Sequence, residues 1–481
     1  MDSARLALTR VLVTGGDSPL ARAVIAALPP ATAVRIVDRH LTAPFAREIE
    51  RSEGDLRDER FVGALVTGVD AVLHLAPLTT RDERDLEVLD QATLGTYRLA
   101  MAAQAAGAAR VVLASTLAVF DTFPTAFQLN PNWRPRPRPD LPILAPWLAE
   151  RSLREIARAT GLAAVCLRLG TMDAAQAATA LLGALNGPLD GWRVDHSGDR
   201  PLPAGPPRAD LAPVDRPRRR VVVFGAGGPL AAATAALLAP DYLLRLTDVA
   251  PLAELATRPP QSPGAPLPVP LGPPHEERVV DVRDPDAVLA ACEGMDAIVN
   301  CTVVRHDPVD AWRVNLLGAH NILHAAVAHG IRRVVQTGPC LISQPGASGY
   351  TWDELVGDDP PPRPGHDRYL HTKYLAQELC RAFAEYHGLE VPVLQYAGLA
   401  STTVAPQGPL SPFFVSWTDA GRAIRHALEV PSLPTPCEVM HITADLPHGV
   451  FPNRKAKHLL GWHPRDTLEQ WYSTAPAERE A

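Results

Sequence analysis

The sequence predicts an α/β chain of two tandem, doubly wound parallel-sheet domains, the second with a small C-terminal α/β lobe. Two observations carry that expectation. Apolar β-branched runs alternate with helical patterns of about 10–15 residues, as in a parallel sheet covered by helices on both faces. The pattern is also written twice. Residues 10–28, RVLVTGGDSPLARAVIAAL, return as residues 220–238, RVVVFGAGGPLAAATAALL. Each is an apolar run, a glycine turn and an alanine-rich helical stretch.

The duplication continues in order along both copies. RIVDRH (35–40) matches RLTDVA (245–250), GDLRD (54–58) matches VDVRD (280–284), and VDAVLHLAP (69–77) matches MDAIVNCTV (295–303). GAARVVLAS (107–115) matches GIRRVVQTG (330–338), and LDGWRVDHSGD (189–199) resembles PCEVMHITAD (436–445). Expected strands are 10–14, 33–38, 70–75, 110–114 and 163–168 in the first copy. In the second they are 220–224, 243–247, 296–300, 332–336 and 391–396. Domain boundaries follow as 1–200 and 220–481, joined by a proline-rich connector over 201–219. A second proline-rich stretch, 258–274, interrupts copy two after its second strand and reads as a surface excursion without an assignable role.

Composition narrows the function classes. A net charge of −7 offers no basic field for nucleic acid or an anionic membrane. No uninterrupted apolar run approaches the ~18 residues of a membrane span, and the amino terminus does not read as a signal peptide. The six cysteines (166, 292, 301, 340, 380 and 437) form no CxxC pair, which points to a reducing cytoplasm rather than a disulfide framework or zinc site. His320 and His324 share a helix face, but no third ligand stands at usable spacing. NPNWRPRPRPD (130–140) reads as a loop over the cleft of copy one. Among 46 basic residues only three are lysines, Lys373, Lys455 and Lys457.

The glycine turns carry the first chemistry. Glycines between a first strand and its helix let the backbone approach a pyrophosphate at the helix amino terminus. Copy two has Gly225, Gly228 and Ala231 there; copy one has Gly15, Ser18 and Ala21. Asp38 and Asp248 end the second strands, each 23 residues after the first glycine. A carboxylate at that place accepts the ribose hydroxyls of an adenosine and repels a 2′-phosphate, favouring NAD over NADP. Asp55 and Asp281 follow the third strands, where an acidic residue can meet the adenine amino group.

With Asn315 and Gly318 in VNLLGAHN, and Tyr369 and Lys373 in RYLHTKYLAQEL, the chain resembles the extended short-chain dehydrogenase/reductase family. The likeness is to its NAD-dependent epimerase/dehydratase group, in tandem, with a degenerate first copy. Eight tyrosines and three lysines in 481 positions give a chance expectation of about 0.05 Tyr-x-x-x-Lys pairs. Four residues apart on a helix, phenol and ammonium share one face. The resemblance implies that Lys373 holds the nicotinamide ribose and lowers the phenol's pKa, so that Tyr369 exchanges a proton with a substrate hydroxyl or carbonyl. It further implies two Rossmann-type domains, with a cofactor set of Gly225, Gly227, Gly228, Pro229, Leu230, Asp248, Asp281, Val282, Cys301, Thr302, Asn315, Tyr369 and Lys373. The copy-one counterparts are Gly15, Gly16, Ser18, Asp38 and Asp55.

The family's Ser/Thr does not carry over. Pro339 stands at its place in copy two, with Thr337 the nearest hydroxyl candidate and Ser343 also out of register. Copy one has Thr116 there, but its Tyr-x-x-x-Lys site reads Trp147 and Arg151. Segments 416–429 and 453–464 of copy two resemble parts of the family's substrate lobe. Copy one keeps an analogue of the first, 173–185.

Two readings stand. One is an NAD(P)-dependent oxidoreductase or epimerase/dehydratase acting on a nucleotide sugar or another hydroxyl or carbonyl substrate, with the chemistry in copy two. The alternative is a pseudoenzyme, a dinucleotide-binding sensor or scaffold. The resemblance also implies a pseudo-twofold intramolecular dimer, made by the helices that precede strands five and six of each copy.

Overall fold

A computed structural model describes residues 8–79, 85–187, 191–201, 219–343, 356–408, 410, 413–445 and 451–472. The chain divides into two compact units, Met1–Arg208 and Ala209–Ala481. Of the expected connector, only Pro201 and Arg219 fall within the described residues.

Each unit is built on one seven-stranded parallel sheet. Unit 1 contains β1 (Arg10–Thr14), β2 (Ala33–Asp38), β3 (Glu50–Glu53), β4 (Ala71–His74), β5 (Arg110–Thr116), β6 (Ala164–Leu169) and β7 (Trp192–Ser197), in the spatial order β3-β2-β1-β4-β5-β6-β7. Unit 2 contains β8 (Arg220–Phe224), β9 (Leu243–Asp248), β10 (Glu276–Val279), β11 (Ala297–Asn300), β12 (Arg333–Pro339) and β13 (Val391–Tyr396). A separate parallel pair, β14 (Gly398–Ala400) and β15 (Phe414–Ser416), precedes the last sheet strand, β16 (Cys437–His441). The unit 2 order is β10-β9-β8-β11-β12-β13-β16, the same topology. In both sheets the winding reverses beside the first strand, so a cleft opens there at the carboxyl ends.

The duplicated sequence folds into duplicated packing. In unit 1 the helices Pro19–Ala27 and Ala174–Asn186 pack together over Val11, Val13, Ile36, Leu73, Val112 and Val165. In unit 2 the helices Pro229–Leu238 and Trp417–Glu429 do the same over Val221, Val223, Leu246, Val299, Val335 and Leu394. Asp173 starts one of these helices with a capping box to Gln176, and Ser416 starts another by accepting the Asp419 amide. The helix Arg454–Leu460 ends on left-handed Gly461, and buried Trp462 donates through Nε1 to the Asp419 carbonyl, 3.1 Å away. The 453–464 segment is thus a packing device of the lobe. No helix among the described residues is long and apolar enough to cross a membrane.

The helices Leu141–Thr160 and Arg368–His387 correct one expectation. Both are 20 residues long and end on a left-handed glycine, Gly161 or Gly388, three positions before β6 or β13. Aligned on those ends, Tyr369 and Lys373 correspond to Pro142 and Pro146. Trp147 and Arg151, which the Tyr-x-x-x-Lys spacing suggested, instead match Tyr374 and Glu378. Trp147 and Tyr374 are both buried core residues, and the Arg151 guanidinium stacks on Trp147 at 4.0 Å. Unit 1 therefore carries neither a phenol nor an amine at the two helix positions.

The same register uncovers a divergent pair under each sheet. Buried Arg168 donates to buried Glu150 through Nε (3.0 Å) and Nη2 (2.7 Å), and the Ser115 hydroxyl completes the site at 2.5 Å. Burial pushes the Glu150 carboxyl up, but Arg168, Arg151 and Ser115 together hold it below its ordinary value. In unit 2 the matching residues are Gln395, Gln377 and Gly338, and the two amides bond to each other at 3.0 Å. Removing one partner of a buried ion pair strands the other charge, at a cost of about 3–5 kcal/mol. Glu150→Ala should lower the unfolding free energy of unit 1 by that amount in urea titrations. The triple exchange Ser115→Gly, Glu150→Gln, Arg168→Gln should recover most of the loss. A single variant as stable as the parent would show that the pair does not hold unit 1 together.

Candidate active site

The cleft of unit 2 starts at the turn between β8 and its helix. Gly225 has φ +79°, and a Cβ there would lie 2.9 Å from the Cys301 carbonyl carbon and the Thr302 amide nitrogen. Only glycine fits. At Gly227 a Cβ would meet Leu255 and the Asp248 carboxylate, whose Oδ2 accepts the Gly227 amide at 2.8 Å. The other oxygen of Asp248 accepts the Val249 amide, and each oxygen keeps a lone pair for a further donor. Gly228 caps the helix with no side chain, and Pro229 follows at its first position. The early amides, those of Leu230 and Ala231, form the positive end of the helix dipole.

These residues line a cavity of about 400 Å³. Gly225, Gly227, Gly228, Pro229, Asp248, Asp281, Val282, Cys301 and Thr302 of the expected set all border it. Leu230 packs against the core beside it. Asp281 is gripped by Arg283 through both carboxylate oxygens, and that guanidinium holds the carboxyl below its ordinary value. Val282 lies against Gly318, where a Cβ would come within 2.7 Å of it. The proline-rich stretch also borders the cavity, with Arg258, Pro259, Gln261, Pro266, Leu267 and Pro268. The stretch lies largely at the surface, as expected, and forms one side of this cleft.

Thr302 is where the cleft meets the helix Arg368–His387. Its amide and its hydroxyl both donate to Asn300 Oδ1, at 3.0 and 2.7 Å, and its carbonyl accepts Lys373 Nζ at 2.7 Å. Lys373 is 4% exposed. Burial, with Arg305 nearby, brings its ammonium down to about 8. Asn315 sits in a π-helical turn, Arg313–Leu317, a distortion common at functional sites. Rather than bordering the cavity, it exchanges two hydrogen bonds with the Val304 backbone (3.0 and 2.8 Å) and donates to Thr372 Oγ1 (3.0 Å). It pins the loop after β11 to the helix that bears Tyr369. On that loop the guanidinium of Arg305 lies 5.4 Å over the Tyr369 ring. Burial pushes the Tyr369 phenol up, and Arg305 pulls the other way. The Thr337 hydroxyl is tied to the Asn300 carbonyl at 2.9 Å inside the sheet, and Pro339 closes β12. Burial pushes the Cys301 thiol up to about 12, so it is not a thiolate nucleophile.

Arg305 gave no signal in the sequence, being one arginine among many. Asn315 was recognised for its motif, but its contacts are with the protein's own backbone and Thr372.

Unit 1 repeats the scaffold and fills it differently. Gly15 has φ +67°, and the Gly16 amide donates to the Val37 carbonyl. Ser18 Oγ accepts the Ala21 amide, using a donor that unit 2 leaves uncapped. Asp17 stands where unit 2 has Gly227; its carboxylate accepts Thr42 and Ala43 amides, with the Ala43 bond foremost in holding it below its ordinary value. Asp38 accepts the Asp17 and Arg39 amides, and Asp55 is gripped by Arg57 as Asp281 is by Arg283. A cavity of about 720 Å³ is bordered by Asp17, Ser18, Asp38, Thr116 and Asp173. No residue of 130–140 is among its lining, contrary to the expected loop over this cleft; Trp133 instead packs on Phe123, with ring centroids 5.8 Å apart. Among the described residues no group of three or more His, Cys, Asp or Glu side chains could hold a metal ion.

Known proteins resemble this chain in sequence. The sequence model of the NAD dependent epimerase/dehydratase family matches residues 11–179 and again 221–411. An L-arabinose 1-dehydrogenase (NAD(P)(+)) from Haloferax volcanii is 26% identical over 274 residues, 51% of this chain and 96% of that protein. A uronate dehydrogenase from Pseudomonas syringae pv. tomato is 26% identical over 267 residues, 54% of this chain and 87% of that one. The crystal structure of uronate dehydrogenase from Agrobacterium tumefaciens is 25% identical with a TM-score of 0.43, covering 55% of this chain and 92% of its own.

The buried ammonium gives a test of the site's electrostatics. An unfolded lysine titrates near its ordinary 10.5, so below about 8 the folded state carries an unfavourable buried charge, and that cost disappears by pH 10.5. Relative to the parent, Lys373→Met should therefore gain stability at neutral pH compared with pH 10.5. The advantage should shrink steadily between about pH 8 and 10.5 in denaturant titrations. A constant difference across that window would refute the assignment.

Proposed function

The chain belongs to the NAD dependent epimerase/dehydratase family, and from that premise we propose that unit 2 is an NAD-dependent dehydrogenase of a carbohydrate-like hydroxyl, with Tyr369 as acid/base. The observation that carries this reading is the junction at Thr302, where Lys373 is bonded to the cavity rim and Arg305 lies over the Tyr369 ring. The residues present fit a dinucleotide. Gly225 leaves a cradle that any Cβ would fill, the uncapped amides of Leu230 and Ala231 suit a pyrophosphate, and Asp248 has acceptor capacity for ribose hydroxyls. When bound, the cofactor supplies a hydride acceptor.

The remaining work falls to the chain's own groups. Lys373 donates one hydrogen bond to the Thr302 carbonyl and has two N–H donors left for the hydroxyls of the second ribose. Tyr369 takes the proton of the substrate hydroxyl as that carbon is oxidised. Its buried phenol is a poor base unless nearby cations favour the phenolate, and Arg305 is the group placed to do so. Pro339 removes the hydroxyl that the family uses to orient substrate, so Arg305 also becomes the polar group beside the reacting centre. The named activities of the relatives, on arabinose and uronates, favour a free sugar or sugar acid over a nucleotide sugar.

Pro339 also favours the second reading, a unit 2 that binds dinucleotide without turnover, and one series separates the two. Reduction of NAD by a panel of aldoses, uronates and nucleotide sugars should be measurable in the parent. It should fall by at least about 100-fold in kcat in Tyr369→Phe, the order of a lost general base, with NAD affinity kept. Arg305→Met should move the limb of the pH–rate profile that reports the phenol to higher pH. Turnover retained in Tyr369→Phe would remove that residue from the mechanism; NAD binding without turnover on any panel member would leave the scaffold reading.

A further inference from the structure

The loop between the second and third strands differs sharply between the copies. Eleven residues separate Asp38 from Glu50, whereas 27 separate Asp248 from Glu276. The excess is the proline-rich stretch 258–274, in which 8 of 17 residues are proline. Proline fixes φ, so such a segment has little freedom to lose when it takes up one conformation.

It is also fastened at its middle and near its end. Gly264 has φ +66°, and a Cβ there would lie 2.5 Å from Ser401 Cβ and 2.8 Å from Val404 Cβ, so the backbone is pressed onto the loop after β14. That loop is itself tied down: Trp471 Nε1 donates to the Ser401 carbonyl at 2.8 Å, and the Val404 amide donates to Ser401 Oγ at 3.1 Å. Ala265 is buried, and Leu271 packs against the hydrophobic core of the unit. Leu267 between these anchors, and Arg258 and Gln261 before the first, border the cavity together with Asp248 and Asp281. Val249 and Leu267 line the same space while 65% and 39% exposed, an apolar surface open for a ligand face.

We propose that residues 258–274 form a fixed wall of the unit 2 cleft that binds the adenosine half of the dinucleotide. This rests on the reading of that cleft as a dinucleotide site. A purine is flat and apolar on its faces and polar at its edge. Leu267 and Val249 offer the apolar contact, while Gln261 and Arg258 offer hydrogen-bonding edges that unit 1 has no segment to supply. Because the wall is anchored before any ligand arrives, its contacts bring affinity with little ordering cost. Adenosine fragments should gain from it and nicotinamide fragments should not.

The test is calorimetric titration of the full chain with NAD, AMP and nicotinamide mononucleotide. The variants are Leu267→Ser, Gly264→Val, and one with residues 259–270 replaced by a short Gly/Ser linker. Leu267→Ser leaves the anchors in place and keeps the test meaningful if the replacement does not fold. Expected is a loss of at least about tenfold in affinity for both NAD and AMP, with nicotinamide mononucleotide unchanged. A parent that binds NAD and AMP, with variants that bind them equally well, overturns the wall while leaving the cleft assignment standing. Equal losses for all three ligands would mean a general disturbance of the cleft and also overturn it. A parent that binds neither NAD nor AMP overturns the dinucleotide reading itself, and the wall with it.

Discussion

The close approach of Gly225 to the Cys301–Thr302 peptide is the constraint on which the rest of the site depends. With a Cβ excluded at 2.9 Å, the glycine turn and the end of β11 must lie backbone to backbone. That contact fixes Thr302, and Thr302 organises everything further out. Asn300 holds its amide and hydroxyl, its carbonyl receives Lys373, and the loop that follows is clamped through Val304 by Asn315. Arg305 arrives over Tyr369 at the end of this chain of contacts. The glycine turn and the helix that bears Tyr369 are thus joined through Thr302.

Unit 1 shows what the same backbone becomes without that chemistry. Gly15 makes the equivalent approach, its would-be Cβ 3.1 Å from the Ala76 amide nitrogen. The polar groups around it, however, are satisfied from within. Ser18 caps its own helix, Asp17 collects the amides of Thr42 and Ala43, and prolines stand at the two helix positions that matter. Beneath the sheet, a buried Glu–Arg pair replaces two glutamines. The two units are therefore asymmetric in the side chains that border their clefts, although both clefts are open cavities.

Much of this was legible in the sequence because the signals are periodic or punctual. Apolar runs marked five strands per copy, and glycine turns followed by an aspartate marked where the clefts open. The third strands, Glu50–Glu53 and Glu276–Val279, were placed only through the aspartates that follow them, because ERSE and EERV lie at a sheet edge, are largely exposed and carry no apolar pattern. The match of Trp147 and Arg151 to Tyr369 and Lys373 failed for a different reason. The loops before those helices differ in length, and only the glycine ends set the true register. Arg305 and the proline-rich wall depend on long-range packing, which no local pattern encodes.

The most direct measurement is the number of NAD molecules bound per chain, with the two glycine turns blocked in separate variants. One site per chain is expected, present in the parent and in Gly15→Val, and absent in Gly225→Val while that variant remains folded. Two sites in the parent, or binding that survives Gly225→Val and is lost in Gly15→Val, would contradict the assignment of the dinucleotide chemistry to the second unit.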